Sequence, residues 1–125
     1  TGSCWNDAVA MAAALKSLEL SEREEVAKSV LEKGRQLTEG LERTAAKHGK
    51  TLRMTGPSSM PYPWFEGDTN LFEIQKFCQI CAEESIYFHP HHNWFVGNAH
   101  DSKSIEQALC VADRALERMV RQEND

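Results

Sequence analysis

Eight consecutive residues, Ala8-Val9-Ala10-Met11-Ala12-Ala13-Ala14-Leu15, are all small or apolar. Alanine is the best helix former, so the run predicts a helix over about Asp7 to Leu20 that is apolar nearly all round. Such a helix lacks a solvated stripe and calls for burial on several sides. A lone domain of 125 residues has little chain with which to surround it. A large neighbour does, and the small alanine side chains let other backbones come close.

The residues before it are Thr1-Gly2-Ser3-Cys4-Trp5-Asn6-Asp7, a polar, hydroxyl-bearing stretch with no initiator Met. Hydroxyls placed just before a helix have two readings. Ser3 or Thr1 can cap the helix, or either can hold a phosphate together with the free N–H groups of the first turn. The loop therefore reads as the last piece of a larger active site, with the chain starting inside a structure.

The remaining sequence predicts three more helices and four short strands. Ser21-x-x-Glu24 has the form of a capping box. It is followed by a helix with Val26, Val30, Leu37, Leu41 and Ala45 on one stripe and Gly49 as its C-cap. Strands are expected at Thr51–Thr55 and Met60–Phe65, the second irregular or at an edge because Pro61 and Pro63 lack an N–H. Asn70-x-x-Glu73 is expected to cap a third helix with Leu71, Ile74, Phe77, Cys78 and Cys81 inward. Ile86–Phe88 and Trp94–Val96 read as strands three and four. Asp101 or Ser102 opens a last helix with Ile105, Leu109, Ala112, Leu116 and Met119 or Val120 inward. The order α-α-β-β-α-β-β-α predicts an α+β fold: a small, mostly antiparallel sheet of three or four strands, helices on one face, and a long helical segment in front.

Composition narrows the partners. A net charge of -5 argues against nucleic acid or an anionic membrane, either of which calls for a basic face. No apolar run reaches the ~20 residues of a membrane span. Four cysteines without a leader fit free thiols and a cytoplasmic setting.

Among groups that carry chemistry, His89, His91, His92 and His100 suggest a metal, but His91 and His92 are adjacent and point apart on extended backbone, and no zinc-type helix motif accompanies them. Loop and rim histidines are the plainer reading. Cys78-x-x-Cys81 falls mid-helix on the apolar face, where thiols pack as small hydrophobes and gain nothing from a helix N-terminus. Glu66 and Asp68 could serve as acid and base, though turn carboxylates are commonly just solvated. No nucleophile elbow, phosphate-binding loop or dinucleotide fingerprint occurs.

These segments, in this order, resemble the C-terminal part of class III aminotransferases, the pyridoxal-phosphate (PLP) enzymes of fold type I, and particularly glutamate-1-semialdehyde 2,1-aminomutase and its relatives. The likeness is carried by Ser3-Cys4-Trp5-Asn6-Asp7 leading into Ala8–Leu18, by Gly34, Leu37, Gly40 and Leu41, and by Thr55-Gly56-Pro57-Ser58-Ser59-Met60-Pro61. Phe88-His89-Pro90, Trp94-Phe95-Val96, Ala99-His100-Asp101-Ser102, Ile105 and Leu109 complete it.

The resemblance implies residues 1–20 as a hydroxyl loop and interdomain helix, and residues 21–125 as the small C-terminal domain of a dimeric enzyme. It implies an upstream large domain, a small-molecule amino substrate, and Ser3, with Thr1 second, at the cofactor phosphate. The Schiff-base Lys and the Asp facing the pyridine nitrogen would lie upstream, and no Lys here has the matching context. His92 and Asn93 stand where relatives acting on ω-amino acids carry a substrate-binding Arg. The rival expectation is a free-standing α+β binding or assembly module without catalysis.

Overall fold

The computed structural model describes residues 7–124. Four helices and one hairpin follow in the order α1 (Ala8–Arg23), α2 (Val26–Lys47), β1 (Leu52–Thr55), β2 (Tyr62–Phe65), α3 (Phe72–Glu83) and α4 (Ser102–Asn124). The hydroxyl loop, with Ser3 and Thr1, lies outside the described residues.

Helix α1 starts at Asp7, whose carboxylate accepts the Val9 N–H at 3.0 Å. It buries no residue. Val9, Leu15 and Leu18 are 77, 64 and 68% exposed, and among the described residues the one element α1 contacts is α2. Among the described residues, the apolar face expected to need neighbours on several sides meets only α2.

The capping box at Ser21 does not form. Ser21 sits in the last turn of α1, because neither Gly nor Pro interrupts Leu20 to Arg23. The break comes at Glu25, which takes a left-handed backbone (φ 47°) and makes no side-chain cap.

Helices α2, α3 and α4 enclose the core. Leu37, Leu41 and Ala45 from α2 meet Ile105, Ala112, Leu116 and Met119 from α4, and Ile74, Phe77, Cys78 and Cys81 from α3 close the third side. These are largely the stripes read from the 3.6-residue period. Lys50 and Gly49 donate to the Ala45 and Ala46 carbonyls, and Gly49 has φ 73°, so α2 ends in the expected glycine cap. Asp101 caps α4, accepting the Ser104 N–H at 2.8 Å.

At α3 the capping box is replaced. Asn70 Oδ1 accepts the Phe72 N–H and Asp68 Oδ2 accepts the Ile74 N–H. Glu73 instead accepts from Lys50 Nζ at 3.1 Å.

β1 and β2 pair antiparallel, with Leu52 opposite Phe65 and Thr55 opposite Tyr62. Alternation buries Leu52, Pro63 and Phe65 and turns Trp64 outward. The open edge of β1 is covered by α2, where Glu42 Oε1 accepts the Met54 N–H at 3.2 Å.

The sheet has two strands, not the three or four expected. Ile86 is drawn into the end of α3: its N–H and that of Ser85 donate to Cys81 and Ala82, with Ser85 left-handed at φ 65°. Trp94 and Val96 do lie beside residues 59–61 and donate to the Pro61 and Ser59 carbonyls at 2.9 and 3.0 Å. An antiparallel pair exchanges two bonds, and Pro61 has no N–H to return. The ladder stays one-sided, and the segment is extended chain rather than strand.

Candidate functional site

The segment between α3 and α4 carries Tyr87-Phe88-His89-Pro90-His91-His92-Asn93-Trp94-Phe95. Two of its rings turn inward. Phe88 stacks on Trp94 with centroids 4.3 Å apart, and on Phe77 of α3 at 6.0 Å. Trp94 Nε1 donates to the His89 carbonyl at 2.8 Å, which closes the loop between them and satisfies the indole at burial. The loop is then fastened to the other extended segment: Asn93 Nδ2 donates to the Met60 carbonyl at 3.2 Å and the Trp94 N–H to Pro61. Met60–Phe65 and His89–Trp94, separated by a whole helix in sequence, are joined by these bonds.

On the far side of that loop lies a cavity of about 560 Å³. Its floor is apolar, built from Phe88 and Trp94 together with Leu37 of α2 and Ile105 and Ala108 of α4. Its mouth carries exposed Tyr87, His89, His92, Phe95 and His100. The chain just before α4 is tied to α2, where Lys33 Nζ donates to the Asn98 carbonyl at 2.8 Å.

His92 lines the cavity and His91 does not. No group of three or more His, Cys, Asp or Glu among the described residues is disposed to hold a metal ion. The sequence singled out the histidines but missed the aromatic cavity behind them. The signal was the density of rings from Tyr87 to Phe95, read there as strand faces.

The other candidate groups are engaged elsewhere. Cys78 and Cys81 are buried in α3, and burial pushes each thiol up to about 12, so neither is a nucleophile near neutral pH. Glu66 pairs with Arg53 across the hairpin at 3.0 Å, and Asp68 caps α3. His48 Nε2 lies 2.7 Å from Asp113 Oδ1, and Lys47 Nζ donates to the same carboxylate at 3.0 Å. The bonds from His48 and then Lys47 hold the Asp113 carboxyl below its ordinary range. Among the described residues, no helix is long and apolar enough to cross a membrane.

Comparison with known proteins gives this geometry a context. No family model matches the sequence. Over 121 residues, 97% of the chain, it is 33% identical to the aminopentol aminotransferase of Sphingopyxis macrogoltabida, of which it spans 29%. Its structure aligns over its full length with the FumI protein of Sphingopyxis sp. MTA144, solved in its PLP internal aldimine form. The TM-score is 0.93 at 32% identity, covering 30% of that chain. The chain is similar to part of a PLP-dependent aminotransferase. It spans about three-tenths of the length of the relatives it matches.

The described residues do not by themselves make a PLP site. Such a site needs a lysine for the cofactor carbonyl and donors for its phosphate. The cavity lining has neither Lys nor Arg. Lys50 is held by Glu73 and Glu123, Lys47 by Asp113 and Lys33 by Asn98. Ser3 and Thr1 lie outside the described residues.

Proposed function

We propose that this chain is the C-terminal part of a class III, fold type I PLP-dependent aminotransferase, similar to glutamate-1-semialdehyde aminomutase. The reaction is amino-group transfer on an amino, keto or semialdehyde substrate. The observation that carries the reading is the full-length alignment at TM-score 0.93 and 32% identity with a protein solved in its PLP form. The unburied apolar face of α1 supports it, because a helix of that kind needs an interface.

On this reading residues 1–20 are the phosphate loop and interdomain helix, and residues 21–125 the small domain of a cytoplasmic homodimer. Ser3, with Thr1 second, anchors the cofactor phosphate. Met60–Phe65 and His89–Trp94 wall the substrate channel, and α1 packs on the upstream large domain or across the dimer. The cofactor, when bound, serves as the electron sink for the amino-transfer chemistry, and the reactive lysine belongs to the upstream domain. The likeness to an aminopentol aminotransferase extends the substrate class to amines that carry hydroxyl groups.

The test is an amino-transfer assay with PLP on the full-length gene product and on residues 1–125 alone. The full-length protein is expected to convert an amine and a keto acid, and the 125-residue piece to do nothing. An open reading frame that starts beside Thr1, or a full-length protein inert with every amine and blind to PLP, would instead support a binding or assembly module.

A further inference from the structure

We draw no further inference here: the strongest candidate, the apolar cavity between the α3–α4 loop and helices α2 and α4, belongs to the site already described, and nothing in the structure shows what fills it.

Discussion

Gly34 of α2 lies directly under the carbonyl of Ser58: a Cβ added to the glycine would sit 2.0 Å from that oxygen. Helix and turn meet backbone to backbone, and the Ser58 hydroxyl fastens the contact by donating to the Leu31 carbonyl at 2.9 Å. Alanine in place of glycine gains about 1 kcal/mol of helix propensity. It must also push a backbone carbonyl aside, and overpacking of this kind costs about 1–3 kcal/mol or more. Gly34→Ala is therefore expected to destabilise the protein by about 2 kcal/mol in urea unfolding. Gly40 is the control, because its added Cβ would meet the Leu109 side-chain methyls at 2.7 Å, which can rotate. Gly40→Ala is expected to stay within about 1 kcal/mol of the parent.

Ser85 ends α3 in a left-handed conformation, φ 65°. A non-glycine residue there bears about 1–2 kcal/mol of strain. Ser85→Gly removes it and loses about 0.5–1 kcal/mol to the freer unfolded chain. A net gain of about 0.5–1 kcal/mol is expected, read as a rise in Tm. A fall would show that the Ser85 side chain contributes something its backbone does not reveal.

Lys50 joins the end of α2 to α3 and α4. Its side chain is 17% exposed, with Glu123 at 2.7 Å and Glu73 at 3.1 Å. Burial pulls its pKa down, but the bonds to Glu123 and Glu73 more than offset this, and the net shift is upward. A raised lysine stabilises the fold fully below its unfolded value of about 10.4 and loses that contribution as pH climbs through the folded value. Lys50→Met is expected to cost about 1–2 kcal/mol at neutral pH, less than a fully buried pair because both carboxylates reach water. The gap between variant and parent should narrow above about pH 10.4.

Asp113 supplies the acid-side counterpart. Its pKa is depressed by His48 and Lys47, so its contribution is present above the ordinary aspartate value of about 3.9 and fades as pH falls through the lower folded value. Unfolding curves of Asp113→Asn and the parent are expected to differ at pH 6 and to converge in acid, below the ordinary aspartate value. A constant gap down to the lowest pH would mean that the loss is one of packing.

The helices were legible in the sequence because apolar residues recur at helical spacing. The stripe Ile105, Ala112, Leu116 and Met119 is buried as its period required. The hairpin was legible from the alternation at Leu52 and Met54. What misled were residues whose local meaning depends on a distant partner. Glu73 has the spacing of a capping box, but Lys50, 23 residues earlier, claims it. Trp94–Val96 has the composition of a strand, but Pro61 denies it half a ladder. The cavity was not legible at all, since its floor draws Leu37, Phe88 and Ile105 from three distant stretches. The unburied face of α1 was legible from its composition alone.

The most direct measurement is to reduce the full-length holoprotein with borohydride and map the lysine that carries the fixed PLP adduct. The adduct is expected on a lysine upstream of Thr1. An adduct on Lys16, Lys28, Lys33, Lys47, Lys50, Lys76 or Lys103, or a full-length protein that fixes no PLP, would contradict the assignment of this chain as the part of an aminotransferase that lacks the reactive amine.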